Sequence, residues 1–317
     1  MEHPLSDWTT DTQPALLRIR TVTAATPDVA ASERAYCEYL GCRVVERSTV
    51  PPDLAAAWRA PAVAGAAMVT LVPEGESNVF VRLVESAAPA GYAPLTTFGW
   101  NAFEIIADDV HALAERLENS PFTIIGPPRP LQFMPSIVAM QVRGPANECL
   151  YFTMESGDRE TSILPPPVGF VGRTFIVVMA GEDFPTLLRW YVDRFALRER
   201  PVRQSKVAVI QQAQGLSRDQ TVELSAIGMR ERGNLIELDA YPTGPGFPAA
   251  SRPVVPGYLP PGNAIASFDV ESIDAFAAEA AGPVQRRNEH AYGGRRTCIL
   301  VGAAGELIEL VETDIMS

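Results

Sequence analysis

The chain has 317 residues, of which 47% are apolar and 20% are charged, and its net charge is −12. This composition is typical of a globular protein, and the length favours about two domains. The negative charge argues against nucleic acid and anionic membranes as partners. No apolar run is long enough to cross a bilayer, and the N-terminus lacks a basic, apolar leader, so we expect a cytoplasmic protein.

The four cysteines show no CxxC spacing. In a chain of this size, such cysteines are typical of small, reduced core residues. Cys37 and Cys42 are close enough in sequence to meet, but without a secretory context we expect them to remain free thiols.

The polarity pattern divides the chain into four quarters, each of which predicts a strand, a helix and three more strands. The first predicts a strand at 16–24, a helix at 28–40, strands at 42–50, 67–72 and 79–85, and a helical insertion at 53–58. The second predicts strands at 101–107, 122–125, 138–142 and 150–154 and a helix at 109–119. The third predicts strands at 174–179, 199–202, 222–228 and 235–240 and a helix at 184–195, with 207–215 ambiguous. The fourth predicts strands at 264–270, 284–287, 297–301 and 307–311 and a helix at 272–280.

Motifs recur along the chain at constant spacing. Asp28 and Tyr36 recur as Asp183 and Tyr191, at an offset of 155. The segment 144–151 recurs at 302–309 with an offset of 158, and 109–113 recurs at 272–276 with an offset of 163. Concordant offsets in both halves indicate an internal repeat.

The repeat predicts an N-terminal extension at 1–14, a first domain at 15–160, a Pro-rich linker at 161–171 and a second domain at 172–317. A βαβββ module leaves one sheet face uncovered, so it must pair with a second module. We therefore predict an α+β protein in which four βαβββ modules pair, in sequence order, into two domains. Each domain is a curved mixed sheet that forms a cup with helices outside.

This pattern resembles the vicinal oxygen chelate superfamily, which includes glyoxalases, bleomycin-resistance proteins and extradiol dioxygenases. The resemblance is carried by Asp28, Tyr36 and Gly41, by 109–117 with 125–127, and by 305–310. It extends from about residue 16 to residue 312. The length and the two paired-module domains are most similar to the extradiol dioxygenase arrangement.

In that family each module can supply one metal ligand from its first strand and one from its last. Seven residues before the helix start, the first-strand positions fall at Thr21, Ala102, Ile176 and Ile265. The last-strand positions fall at Arg82, Tyr151, Glu237 and Glu309. The resemblance implies two histidines and a glutamate for iron in the second domain, where this chain has two isoleucines and a glutamate. Isoleucine cannot coordinate a metal, so we predict no metal and no cofactor.

Three residues are candidates for acid–base catalysis: Glu309, Tyr151 and His290. Burial can raise a carboxyl pKa to near the working pH, and the unperturbed pKa of histidine already lies near neutral pH. Glu309 and Glu237 are interpreted as paired carboxylates in one cup; alternatively, arginines such as Arg296 neutralise them. A lone histidine in a polar loop is alternatively a solvated side chain.

The candidate substrate-binding residues are Arg82, Glu237, Glu104, Arg296, Phe133 and Phe152. Arg82 suits a substrate carboxylate or enolate because a guanidinium offers two donors in a fork. The alternative for Arg82 is a buried salt bridge with Glu104 or Glu85. The aromatic residues fit either a hydrophobic ligand or plain core packing.

These residues favour metal-independent lyase or isomerase chemistry on a small, largely apolar or aromatic metabolite. One alternative is a small-molecule binding or sequestration protein of the bleomycin-resistance type. A second is an extradiol-type dioxygenase with relocated ligands. The expected partner is a small-molecule ligand, and the sequence leaves a homodimer open.

Overall fold

The structure, a computed structural model, describes residues 8–9 and 12–313. Most of the predicted N-terminal extension (1–7 and 10–11) and the last four residues (314–317) lie outside the described residues.

Modules 1 and 2 form the first half of the chain. Module 1 contains β1 (Leu16–Thr26), α1 (Val29–Leu40), β2 (Arg43–Thr49), α2 (Pro52–Ala57), β3 (Ala67–Val72) and β4 (Phe80–Glu85). Module 2 contains β5 (Gly99–Ala107), α3 (Val110–Leu117), β6 (Thr123–Pro130), β7 (Ile137–Arg143) and β8 (Cys149–Glu155). A short 3₁₀ turn, Pro61–Val63, follows α2.

Modules 3 and 4 repeat this plan. Module 3 contains β9 (Val171–Gly181), α4 (Phe184–Phe195), β10 (Arg203–Ser205), α5 (Ala208–Gln214), β11 (Val222–Gly228) and β12 (Leu235–Ala240). Module 4 contains β13 (Gly262–Val270), β14 (Gln285–Arg287), β15 (Arg295–Val301) and β16 (Leu307–Glu312), with a 3₁₀ turn at Ala277–Glu279. The segment that was ambiguous in sequence is therefore a helix, α5.

The three long helices begin at the aspartates that the repeat singled out. Asp28, Asp109 and Asp183 each accept hydrogen bonds from backbone N–H groups of the first helical turn. Such caps satisfy N–H donors that have no partner inside the helix. Gly41 ends α1 at φ 71°, a left-handed conformation that glycine adopts without strain.

The helix predicted at 272–280 is wrong, because only the 3₁₀ turn forms there. The Ser272 hydroxyl accepts from the N–H of Asp274 only two residues later, which closes a tight turn instead of capping a helix. Asp274 in turn pairs with Arg296 on the neighbouring strand, and Phe276 packs against Phe195 of α4.

The sixteen strands form two eight-stranded sheets. One has the order β14-β15-β16-β13-β1-β4-β3-β2 and the other β10-β11-β12-β9-β5-β8-β7-β6. Modules 1 and 4 thus share one sheet through antiparallel β1 and β13, and modules 2 and 3 share the other through β5 and β9. This corrects the expectation that neighbouring modules pair: the predicted domains 15–160 and 172–317 each contribute one module to each sheet.

Both sheets are curled, and residues alternate between their two faces. The outer faces pack with α1, α3 and α4 in one large core that includes Tyr36, Phe152, Tyr191 and Phe268. A smaller apolar cluster lies inside each curl. We call these concave faces the 1–4 cup and the 2–3 cup.

Two helices lie inside the cups instead of outside. Leu54 of α2 packs among inner-face residues of the 1–4 cup, and Val209 and Ile210 of α5 do the same in the 2–3 cup. Among the described residues, no helix is both long and apolar enough to cross a membrane.

Candidate functional site

The centre of each cup is defined by parallel strand pairs. In the 1–4 cup, Thr23 lies beside Arg82 and Ser267 lies beside Glu309. In the 2–3 cup, Glu104 lies beside Tyr151 and Val178 lies beside Glu237. The last-strand positions are those expected from the sequence. The first-strand residues directly opposite them lie five residues before the helix start, so the predicted Thr21, Ala102, Ile176 and Ile265 lie two residues earlier on the same strands.

A closed polar network fills the centre of the 1–4 cup. Arg82 Nη2 donates to Glu309 Oε2 at 3.0 Å, and the two side chains are each 1% exposed. The other Glu309 oxygen accepts from Tyr292 at 2.7 Å and from the Trp58 indole at 3.2 Å. Ser267 donates to Oε2 as well. Every lone-pair direction of the Glu309 carboxylate that faces the cup is therefore occupied.

The same network fixes the charge of Glu309. Burial alone would raise its pKa, but the Arg82 charge and the hydrogen bonds outweigh burial and lower it. The Arg82 guanidinium also donates to Thr23 Oγ1 at 3.0 Å and stacks 4.7 Å from the Trp58 ring centroid. Glu309 is thus a neutralised, inaccessible anion, and it does not supply the exchangeable proton expected of a general acid.

The 2–3 cup has a different polar content. Glu104 and Glu237 are half-buried, whereas Asp239 on the same face of β12 is fully buried. Thr153 donates to one Glu104 oxygen at 2.6 Å, and Glu237 makes no hydrogen bond or ion pair with any described residue. Both Asp239 oxygens are buried without a partner in the described part of the chain.

Two tyrosine hydroxyls in the 2–3 cup also lack partners within the described chain. The Tyr151 and Tyr241 side chains are each 5% exposed, and neither hydroxyl makes a hydrogen bond. Native proteins leave few buried polar groups unsatisfied, and those that remain often mark functional positions. The 2–3 cup is therefore the candidate functional site.

Burial and mutual repulsion raise the carboxyl pKa values in this cup. Burial raises the pKa of Glu104 to about 7, against the lowering effect of its bond from Thr153. Burial and the Glu104 charge raise the pKa of Asp239 to about 7. Burial together with Asp239 and Glu104 raises the Glu237 pKa well above its ordinary value. Burial and mutual repulsion therefore favour the protonated form of all three carboxyl groups.

The helices inside the cups explain why only one centre is sealed. Trp58, directly after α2, is 1% exposed and closes the 1–4 cup over Glu309. The repeat offset of 155 places Ala213 at the position of Trp58, with Gln214 next to it at the end of α5. Neither is aromatic, and the Gln214 amide donates to the Leu95 carbonyl instead of into the cup. The 2–3 centre thus keeps its two glutamates half-buried.

The donor sets differ from the two histidines and one glutamate that the family resemblance implies for iron. In the 1–4 cup, a guanidinium occupies one of the four central positions, and the one carboxylate is fully hydrogen-bonded. In the 2–3 cup, the central positions hold two carboxylates, a phenol and a valine, with no imidazole. Across residues 8–9 and 12–313, no three His, Cys, Asp or Glu side chains are grouped to hold an ion.

The structure separates the predicted carboxylate pair. Glu309 belongs to the 1–4 cup and Glu237 to the 2–3 cup, because the modules pair 1 with 4 and 2 with 3. For the same reason, Arg82 pairs with Glu309 and not with Glu104 or Glu85. Glu104, Tyr151 and Glu237, by contrast, do come together in the 2–3 cup.

Four other candidates lie away from both centres. Arg296 is on the outer face, where it pairs with Asp274 and Glu312. Phe152 is buried in the outer core, and Phe133 is 55% exposed in the loop before β7. His290 is exposed, its ring edge-on to Phe80. Tyr292, two residues later, is the member of that loop that reaches a cup.

Sequence reasoning missed Asp239 and Tyr241, although a signal for them was present. They follow Glu237 at intervals of two, so strand periodicity places all three on one face of β12 and its extension. It also missed Trp58, because a helical insertion by itself does not show that it lies inside the cup.

Two open surface clefts lie elsewhere. One runs along α1, β2 and β3 and includes Arg47 and Glu33, which already pair with each other at 2.6 Å. The other includes Arg287 and Asp53, paired at 3.1 Å. Neither cleft contains a buried carboxylate without a partner such as Asp239 of the 2–3 cup.

No protein-family model matches the chain, and no curated protein matches its sequence. Solved structures do match its fold. Glyoxalase I from Zea mays superposes with a TM-score of 0.56 at 16% identity, covering 93% of this chain and 92% of that one. A putative dioxygenase from Bacillus subtilis superposes with a TM-score of 0.61 at 13% identity, covering 94% of this chain and 86% of that one.

These alignments extend over both sheets and all four modules, as the coverage shows. Glyoxalase I and the dioxygenase are named for different activities, so the likeness concerns architecture and not chemistry. Together with the four βαβββ modules and the two eight-stranded sheets, it shows that the chain has the fold of the vicinal oxygen chelate superfamily.

Proposed function

We propose that this protein is a glyoxalase-superfamily enzyme that carries out metal-independent proton transfer, of lyase or isomerase type, in the 2–3 cup. The observation that supports it best is Glu104, a half-buried carboxyl group with one oxygen free of partners and a pKa of about 7. A general acid or base works best when its pKa lies near the operating pH.

The neighbouring groups fit the two ends of such a reaction. An ionised Glu104 accepts a proton from a carbon next to a carbonyl group, and the electron pair moves to the carbonyl oxygen. The Tyr151 hydroxyl, which has no protein partner, donates to that oxygen as negative charge develops. Glu237, with its raised pKa, holds the proton that is returned to the substrate.

The wall of the cup suits a small and largely apolar or aromatic substrate. Its inner face carries Ala102, Ile176 and Val178, and α5 adds Val209 and Ile210. Apolar walls with a few converging polar groups are typical of small-molecule sites.

Proton exchange tests the proposal directly. With 2-hydroxyacetophenone in D₂O, the parent protein should catalyse loss of the ¹H NMR signal of the carbon-bound protons next to the carbonyl. The rate should rise with pH as Glu104 ionises. Glu104→Gln and Glu237→Gln should each slow the exchange, whereas Asp219→Asn, an exposed carboxylate paired with Lys206, should not.

The second candidate is a small-molecule binding or sequestration protein. Asp239 and Tyr241 favour this function, because a bound ligand would supply hydrogen-bond partners for their unpartnered polar atoms. Both side chains are more deeply buried than Glu104. If native mass spectrometry finds a bound small molecule while no carbonyl compound of the 2-hydroxyacetophenone type exchanges above the buffer rate, the binding function stands and the enzyme proposal fails.

A further inference from the structure

The two cups carry side chains of opposite charge at one corresponding central position. In the 1–4 cup, Arg82 and Glu309 neutralise each other at 3.0 Å. The repeat offsets of 155 and 158 place Glu237 where Arg82 stands and Tyr151 where Glu309 stands. The 2–3 cup therefore has a carboxylate in place of the arginine, and the internal cation that closes the 1–4 network is missing from its centre.

No positive side chain takes over that role among the described residues. The electrostatic influences on Glu237 come from Asp239 and Glu104, and no arginine or lysine acts on these three carboxyl groups. Arg252 approaches Tyr241, but its guanidinium donates to the Thr97 hydroxyl and to the Asn263 and Trp100 carbonyls. The cup thus has an excess of hydrogen-bond acceptors and negative charge.

The most deeply buried of these acceptors is Asp239, which lies within strand β12 and not at the surface. Asp239 is 0% exposed, lies between Leu224 and Ala180 on the adjacent strands, and has both oxygens unpartnered. A buried carboxylate without a partner costs free energy that an incoming donor recovers. The unpartnered hydroxyl groups of Tyr151 and Tyr241 beside it can also accept hydrogen bonds.

We infer that the 2–3 cup binds a molecule that carries a protonated amine, with its N–H groups on Asp239 and its apolar part against Val178 and α5. This rests on the proposed function only in the choice of cup, and it specifies the substrate class: an aromatic or aliphatic amine instead of a carboxylate. The substrate-binding role predicted for Arg82 and Arg296 is not needed, because neither arginine reaches this cup.

Three ligands of similar size distinguish the effect of ligand charge on binding from the effect of ligand shape: benzylammonium, benzyl alcohol and benzoate. Binding is measured at pH 8 by ligand-observed NMR and by calorimetry with the full-length chain. Benzylammonium should bind at least about tenfold more tightly than benzyl alcohol, and benzoate should bind more weakly than either. Asp239→Asn should weaken benzylammonium binding by about tenfold or more while leaving benzyl alcohol binding within about twofold. Asp219→Asn serves as the matched surface control.

Equal binding of benzoate and benzylammonium, the absence of benzylammonium binding, or an unchanged affinity in Asp239→Asn would overturn the inference. Circular dichroism and the unfolding midpoint of each variant show that a loss of binding is not a loss of fold. The outcome is separable from the proposed function. Amine binding without proton exchange leaves this inference standing and removes the enzyme, whereas exchange without amine preference does the reverse.

Discussion

Replacing Arg82 with methionine should destabilise the protein strongly, because it leaves Glu309 as a buried anion without its counter-charge. At 3.0 Å and an effective dielectric constant of about 20, the gross attraction of this pair is about 5–6 kcal/mol. Ser267, Tyr292 and Trp58 still donate to the carboxylate and offset part of the loss. We therefore expect the free energy of unfolding at neutral pH to fall by about 3–5 kcal/mol.

The loss should depend on pH in a defined direction. In the parent, the folded-state pKa of Glu309 is lowered, so its stabilisation is present above the unfolded value of about 4.3 and is lost as pH falls through the folded pKa. Without Arg82, burial dominates and raises that pKa. The free energy of unfolding of the variant therefore rises relative to that of the parent as pH falls. The difference between the two proteins should be smaller at about pH 5 than at about pH 7.5.

Urea unfolding at both pH values measures this, with Arg47→Met as the matched control. Arg47 pairs with Glu33 at 2.6 Å, but its side chain is 64% exposed, so its loss should cost only about 0.2–1 kcal/mol. Arg82→Met combined with Glu309→Gln should recover part of the stability by removing the orphaned charge. An Arg82→Met deficit no larger than that of Arg47→Met, or one that is independent of pH, would refute the reasoning.

Three further variants test other parts of the structure. Burial raises the pKa of Glu148 to about 7, so this carboxyl group keeps its proton in the folded state. Its contribution to the free energy of unfolding is complete below the unfolded pKa and is lost as the pH rises towards 7. Urea unfolding of Glu148→Gln should therefore show a smaller loss of stability than the parent between about pH 5 and pH 7.5. At pH values above 7, Asp239→Asn should unfold at a higher temperature than the parent, because it removes an unpartnered buried carboxylate. A lower unfolding temperature would contradict this expectation. Ala213→Trp should fill the 2–3 cup as an indole fills the 1–4 cup and abolish benzylammonium binding in calorimetry, whereas Gln212→Trp, exposed on the same helix, should not.

The repeat in the sequence was sufficient to find the modules and their last strands. Residues related by the repeat offsets occupy equivalent positions in each module. The four last-strand residues therefore lie at the cup centres: Arg82, Tyr151, Glu237 and Glu309. The first-strand count gave residues that lie two positions before those directly opposite the last-strand residues. Strand periodicity kept the chosen residues on the inner face but moved them about 7 Å along the strand.

The pairing of modules was not accessible in the same way. Each module exposes the same uncovered sheet edge and face, so the repeat is equally compatible with neighbouring pairs and with the observed 1–4 and 2–3 pairs. The choice decides the chemistry of the site, because it puts Arg82 with Glu309 and leaves Glu237 with Glu104. Sequence periodicity does not encode that choice, since it depends on contacts more than 200 residues apart, such as Arg82 with Glu309.

The interleaved order of the sheets has a consequence for how the chain folds. β1 pairs with β13, so the first module has no sheet partner until the last quarter of the polypeptide has been made. The entropy of closing so long a loop slows the step that joins them, and the unpaired edge of β1 remains free to associate wrongly in the meantime. The 2–3 sheet closes a far shorter loop and can form first, providing a template on which the two chain ends meet.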